Sequence, residues 1–178
     1  MRRAYPGVVR ATLALGMLAL SGCTTVIKQA YYEARGAKGE LRFVGQPDTA
    51  ALARMRAIEF TPAATTVGPR ICPAKLLRAY DRSANRAVAK LKPYYPGGTP
   101  ALTIESEIHY FQDKGLLSGA FMLTRVRMHA GEELLADAVI KAESKAFTAG
   151  GESDLAEASV DAVAEFLEHR KKTSKPED

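Results

Sequence analysis

Residues 102–111 read LTIESEIHYF, an alternation that sets Leu102, Ile104, Ile108 and Tyr110 on one side of a strand and Thr103, Glu105, Glu107 and His109 on the other. A strand with one apolar and one charged side belongs to a sheet that is covered on one face and wet on the other. The next two segments repeat the pattern. In 120–129, Ala120, Met122, Val126 and Met128 point inward while Arg125, Arg127 and His129 point out; in 133–147, Leu134, Ala136, Ala138, Ile140, Ala142 and Ala146 alternate with Asp137, Lys141, Glu143 and Lys145. Turn residues in 112–119 (QDKGLLSG) and 129–132 (HAGE) join the three as a meander. The inward alanines leave room for a helix to approach closely.

Two amphipathic helices flank this meander. From 73 to 91, Leu77, Tyr80, Ala84, Ala87, Val88 and Leu91 recur at helical spacing, and Pro93 with Pro96-Gly97-Gly98 ends the run. From 153 to 169, Ala156, Val160, Val163 and Leu167 form a stripe widened by Leu155 and Phe166. Ser153 or Asp154 is its cap, and with Asp154 in that role Glu157 takes the capping-box position. Upstream, 40–44 and 54–60 read as short strands, 48–53 as a possible helical turn, and 61–71, with Pro62, Gly68 and Pro69, as the most mobile loop. The expected fold is an α+β two-layer sandwich: an antiparallel sheet of about four strands with both helices on one face.

The N-terminus has a separate logic. Met1 to Arg10 carries Arg2, Arg3 and Arg10 without an acidic residue, and an uncharged run over 11–20 leads into Leu20-Ser21-Gly22-Cys23. This is the order of a secretory signal, and the apolar run is about half of the roughly 20 residues that span a bilayer. The four-residue motif resembles the lipobox of bacterial lipoproteins at every position. That resemblance implies a diacylglycerol on the Cys23 thiol, cleavage before Cys23 and acylation of the new amine, with palmitate among the chains; an ordinary cleaved signal is the plainer alternative. Two or more acyl chains hold a protein stably on a membrane. Thr24, in place of the Asp that retains enteric lipoproteins at the inner membrane, implies the periplasmic face of the outer membrane. The domain plan is a signal peptide over 1–22, tether and first strand over 23–50, an α+β domain over 51–169 and a disordered basic tail over 170–178. Whether 24–35 is tether or a first packed element stays open.

The chain has 25 basic and 20 acidic residues, and loss of Arg2, Arg3 and Arg10 leaves 22 against 20. Four of those basic residues lie in the tail, so the body is neutral, which argues against a nucleic-acid partner. With Cys23 lipidated, Cys72 has no internal disulfide partner. Next to Pro73 it stands near a helix start, where a thiol pKa can fall, or it is a small packing residue.

Ile58-Glu59-Phe60, Cys72-Pro73, the 104–108 run IESEI and Gly150-Gly151 together resemble a family of small bacterial envelope lipoproteins of unknown function. A looser similarity extends to envelope-assembly lipoproteins and to small α/β domains of periplasmic secretion accessories. Neither carries functional residues onto this chain.

Catalytic motifs are scarce. His109, His129 and His169 show no metal-ligand spacing, and Gly-x-Ser-x-Gly and phosphate loops are missing, so no metal, cofactor or catalytic residue is assigned. The polar sheet face, Glu105, Glu107, His109, Arg125, Arg127 and His129, is the candidate surface; Glu105 and Glu107 lie about 7 Å apart by strand rise. Three readings follow. The first is a non-enzymatic accessory or scaffold in the envelope, contacting a partner protein through a sheet edge or the 61–71 loop. The second is a module for a small apolar or glycan ligand, with Tyr80, Tyr94, Tyr95 and Tyr110 around the pocket. The third is a hydrolase in which Glu105, Glu107, His109 and His129 converge. Replacing Cys23 by Ser is expected to abolish palmitate labelling and signal processing while leaving the downstream fold intact, as read by metabolic labelling, gel mobility and circular dichroism.

Overall fold

The alternating segment 102–111 is the heart of β4 (Ala101–Gln112), and the computed structural model describes residues 36–115, 119–145 and 151–174 around it. The signal, the lipobox with Cys23 and residues 24–35 lie outside the described residues, as do 116–118, 146–150 and 175–178. In chain order the elements are β1 (Lys38–Phe43), α1 (Thr49–Arg54), β2 (Ala57–Phe60), β3 (Ala64–Thr65), α2 (Ala74–Leu91), β4, β5 (Ala120–Ala130), β6 (Glu133–Ser144) and α3 (Glu152–Thr173).

The class is α+β, and β4, β5 and β6 form the expected antiparallel meander. Gly131, at φ +62°, serves the β5–β6 turn, a conformation that favours glycine. The sheet departs from expectation in size and direction: it has six strands in the order β1-β6-β5-β4-β2, with β3 also on β4, and β2 and β3 run parallel to β4. The reason is the helix between them. A chain that leaves β3, crosses through α2 and re-enters the sheet at β4 returns in the same direction, which is the connection parallel strands require. Among the described residues the helices number three, since 48–53 becomes α1, capped by Asp48 Oδ1 accepting from the Ala51 amide at 2.8 Å.

One core joins sheet and helices. Leu102, Ile104, Ile108, Met122, Met128 and Ile140 are fully buried from the sheet, Leu76, Tyr80 and Leu91 from α2, and Leu155, Val163 and Leu167 from α3. Burial of each Leu- or Ile-sized side chain contributes about 1.5–3 kcal/mol. The buried stripe of α2 runs through Leu76, Ala79, Tyr80, Ser83, Ala84 and Ala87, so Leu77 and Val88 of the expected stripe sit at its margin, half-buried. Tyr80 donates from its hydroxyl to Ser106 Oγ at 3.0 Å, giving the core a polar link from α2 to β4.

Two bulges break the alternation read from sequence. A register shift between Ile108 and Tyr110 turns Tyr110 out, 42% exposed, and buries Phe111 instead. A second shift, where Met128 faces Ala136 but His129 faces Leu134, buries Leu135 and leaves Leu134 outside. The extra residue of a bulge reverses the facing of what lies beyond it.

Three further expectations are corrected. The first half of the 61–71 segment is tied to the body: Ala63 N–H donates to Asp81 Oδ1 at 2.8 Å and Thr65 Oγ1 to the Ile108 carbonyl at 2.7 Å, while Ala64 and Thr65 form β3. The cap of α3 is Gly151, whose amide donates to Asp154 Oδ2 at 3.2 Å; Ser153 and Asp154 are inside the helix. Residues 170–173, assigned to a disordered tail, continue α3, and Lys171 Nζ donates to the carbonyls of Ala53 at 2.7 Å and Met55 at 2.5 Å. Its burial, with Arg56 nearby, pulls the Lys171 pKa down.

Gly39 marks the tightest approach. A Cβ there would lie 2.1 Å from the Ala158 carbonyl oxygen and 3.0 Å from Ala162 Cβ, so α3 and β1 must separate to admit even one methyl. Gly39→Ala is expected to lower unfolding free energy by about 1–3 kcal/mol, the usual cost of overpacking, read by denaturant titration; wild-type stability in the variant would contradict this contact.

Candidate functional site

One face of the sheet, the one turned away from the core, presents Thr103, Glu105, Glu107, His109 and Tyr110 from β4, Phe121, Leu123, Arg125, Arg127 and His129 from β5, Asp137, Val139, Lys141 and Glu143 from β6, and Lys38, Glu40 and Arg42 from β1. Period-two geometry puts them there because their neighbours Ile104, Met122, Ile140 and Leu41 fill or border the core. All six expected residues, Glu105, Glu107, His109, Arg125, Arg127 and His129, are therefore on one surface.

The register sorts them. Glu105 faces Arg127, Glu107 faces Arg125 and Thr103 faces His129 across the β4–β5 pair. Arg127 lies between the two carboxylates, 3.2 Å from Glu107 and 3.9 Å from Glu105. Arg125 turns the other way and grips Asp137, with Nε at 3.0 Å and Nη2 at 2.6 Å from its two oxygens. That bidentate bond holds the Asp137 carboxyl below the ordinary carboxylate range and pushes the Arg125 guanidinium up. His109 Nε2 is 3.6 Å from Glu107, and His129 Nε2 is 3.7 Å from Glu105, just outside hydrogen-bond reach.

The two histidines do not meet. His129 stands opposite Thr103, six positions along β4 from His109, or about 20 Å at the rise of a strand. The convergence that a hydrolase reading needs is not formed by these four residues. Among the described residues no group of three or more His, Cys, Asp or Glu is placed to hold a metal ion.

Among the described residues, two recesses on this face stand out. One of about 150 Å³ is bounded by Thr61, Pro62, Glu105, Glu107, Arg125 and Arg127, so the 61–71 segment forms its rim. The other, about 380 Å³ and wider, is lined by Val44, His109, Tyr110, Leu123, Arg125 and Val139. Its apolar floor lies among outward positions that carry no charge, so a reading of outward positions by charge passes over it. The signal was present: Leu123 and Val139 fall on the outward phase of strands whose inward phase is Met122 and Ile140. Tyr110 and Phe121 add paired rings with centroids 5.8 Å apart, and Lys141 Nζ is 5.8 Å from the Phe121 ring.

The expected tyrosine-lined pocket does not form. Tyr80 is enclosed in the core, Tyr110 lies on the opposite face, and the other two close the base of α3. Tyr94 donates to Glu168 at 2.9 Å and Tyr95 to the Leu167 carbonyl at 3.2 Å; burial pushes the Tyr95 pKa up to about 12. Cys72 is buried, and desolvation pushes its thiol up despite a bond to Thr65, the reverse of an activated helix-start thiol.

No family model matches the sequence, and no curated protein matches it. Solved structures with similar chains include PelC dodecamers from Paraburkholderia phytofirmans in two crystal forms. They share 9% and 11% identity, cover 71% and 75% of this chain and 95% and 97% of theirs, and give TM-scores of 0.46 and 0.42. The hypothetical protein CT253 from Chlamydia trachomatis matches at 12% identity over 64% of this chain and 97% of its own, with a TM-score of 0.41.

The Arg125–Asp137 pair makes stability depend on acid. A carboxyl with a depressed folded pKa contributes stability above its unfolded value, near 3.9, and that contribution is lost as pH falls through the lower folded value. Arg125→Gln is expected to lower stability modestly near pH 7, because an exposed guanidinium pair is screened by solvent. The gap between variant and wild type should narrow as pH falls below the ordinary carboxylate range and through the depressed Asp137 value; denaturant titrations at neutral and at acidic pH read it.

Proposed function

We infer that this chain is a lipid-anchored envelope protein, fixed through Cys23 to the periplasmic face of the outer membrane, that presents its α+β body as a non-enzymatic accessory or scaffold for another envelope component. The finer architecture in this reading is a two-layer sandwich, with both long helices on one face of the sheet and the other face left for contact. The anchor rests on the order of basic segment, apolar run and Leu20-Ser21-Gly22-Cys23. No helix among the described residues is long and apolar enough to cross a membrane.

One observation carries the non-enzymatic part. The titratable groups of the candidate face are engaged with one another, Glu105 and Glu107 around Arg127 and Asp137 with Arg125, on an open surface. A general acid or base works from an enclosed site that shifts its pKa toward the working pH. Carboxylates shared across a guanidinium in open water instead suit recognition of a polar partner surface, with the apolar floor beside them as its centre.

A second reading is favoured by that floor. The recess at Tyr110, Leu123 and Val139, flanked by Arg125 and His109, has the aromatic and polar mix that holds a sugar ring. The two readings separate in one experiment. A photo-crosslinking residue at position 110 or 123, in living cells, is expected to give an adduct with one envelope protein, and deletion of the gene to weaken envelope integrity. Absence of an adduct together with an intact envelope defeats the scaffold reading, whereas a tenfold or greater loss of oligosaccharide binding in Tyr110→Ala, measured by calorimetry, would establish the ligand module.

A further inference from the structure

β1 is an edge strand whose outer side no described element covers: it pairs with β6 only. It is also uninterrupted, with six residues in register from Lys38 opposite Glu143 to Phe43 opposite Ala138. Sheet edges of this kind offer a row of backbone donors and acceptors to another strand.

The direction of those groups follows from one hydrogen bond. Val44 N–H donates to the Asp137 carbonyl at 2.8 Å, so 44 and 137 are a hydrogen-bonded pair. Antiparallel ladders alternate, which makes 42, 40 and 38 the residues that bond β6 and leaves the N–H and C=O groups of Gly39, Leu41 and Phe43 pointing to the free side. The side chains of Leu41 and Phe43 are only half covered by the core, and Ala162 and Phe166 of α3 are half-buried beside them. Phe43 meets Phe166 edge-on at 4.9 Å. The edge thus has both unpaired backbone and an incompletely buried apolar border.

Charge selects the occupant. The outward positions of β1 read Lys38, Glu40, Arg42, and Arg42 now bonds Glu40 of its own strand at 2.7 Å. If a second copy adds antiparallel with Leu41 opposite Leu41, Gly39 falls opposite Phe43 and all three outward-facing backbone positions find partners. In that register Glu40 stands opposite the copy's Arg42, twice by symmetry, at non-hydrogen-bonded positions where opposed side chains are closest. Sliding one strand by two residues sets Glu40 on Glu40 and Lys38 on Arg42, or Arg42 on Arg42. A longer slide that opposes Lys38 to Glu40 leaves Phe43 without a partner. Attraction, backbone phase and apolar overlap agree on a single arrangement.

We propose that the protein forms a two-fold symmetric dimer through β1, joining two sheets into one twelve-stranded sheet with Leu41 at the axis and reciprocal Glu40–Arg42 pairs on the open face. The interface is isologous, as closed dimers are. This goes beyond the scaffold reading and does not need it, since neither the anchor nor the charged recess takes part.

Light scattering on the full chain in detergent, corrected for bound detergent, tests it with three proteins. Wild type should have twice the chain mass; Glu40→Arg, which opposes two arginines on each side of the axis, should weaken association at least tenfold; and Glu40→Arg with Arg42→Glu should restore it. Both positions are exposed in the single chain, and matching far-UV circular dichroism of the three proteins excludes loss of fold as the cause. A monomeric wild type at about 100 µM would overturn the proposal, meaning that the preceding segment or another protein covers the edge. Persistence of the dimer in Glu40→Arg, or failure of the double exchange to restore it, would overturn it equally.

Discussion

The structure depends on how closely α3 lies over β1 and β6. Gly39, paired with Ala142 of β6, lies under Ala158 and Ala162, and at Gly39 the helix backbone itself takes the space a side chain would fill. Small residues on both partners let backbone approach backbone, which raises the number of dispersion contacts per residue beyond what larger side chains at greater distance provide. Other features follow from this seating. Phe43 reaches Phe166, the stripe from Leu155 to Leu167 drops into the sheet, and the last turn of α3 is carried far enough for Lys171 to bond two carbonyls at the end of α1. An ammonium is a strong donor, and these carbonyls are among those a helix end leaves without partners. The C-terminus of α3 therefore locks α1 against the body.

The opposite face follows a different rule. Its charges are arranged in small compensated groups: Arg127 with Glu105 and Glu107, Arg125 with Asp137, Lys141 with Glu143, Arg42 with Glu40. Exposed pairs of this kind contribute little to stability, so stability does not account for the density of the pattern. What the pattern does is keep the face neutral while leaving it polar, with one apolar opening at Tyr110, Leu123 and Val139. A neutral, patterned surface discriminates partners by where its charges fall, because misplaced like charges repel and correctly placed opposite charges cost little to desolvate at a rim.

Much of this was legible in the sequence, because the meander strands and both long helices follow hydrophobic period alone. Leu102, Ile104 and Ile108 announced one buried face, and Glu105, Glu107, Arg125 and Arg127 the other. What alternation cannot announce is where it slips. Tyr110 and Leu134 were placed inside by counting in twos, and each bulge moved the count by one. Parallel pairing of β2 with β4 was implicit in a strand, helix, strand order, yet β2 and β3 are too short to read as strands of a crossover unit. The tail was misread for a different reason: Lys171 looks like any exposed base, and only the position of α1 beneath it makes it a capping group. As for the candidate face, its membership was visible but its partition was not, since register decides that Arg125 bonds Asp137 and that His109 and His129 stay apart.

The two edges of the sheet show how a fold can leave one side available. On the far edge, β2 and β3 are short, and the 61–71 segment wraps it with bonds from Thr61 and Thr65 to the carbonyls of Ile104 and Ile108. On the near edge, β1 has no proline and no bulge from Lys38 to Phe43, and among the described residues its protection lies in charge. Charges on an edge strand normally discourage pairing with any neighbour. A row of one sign would do that in every register. The Lys38, Glu40, Arg42 row alternates in sign instead, so it repels most alignments and accepts those that bring opposite charges together. The same three side chains can then guard the edge against unspecific strands and admit a complementary one, and the strand most complementary to β1 in charge, phase and apolar border is β1 itself.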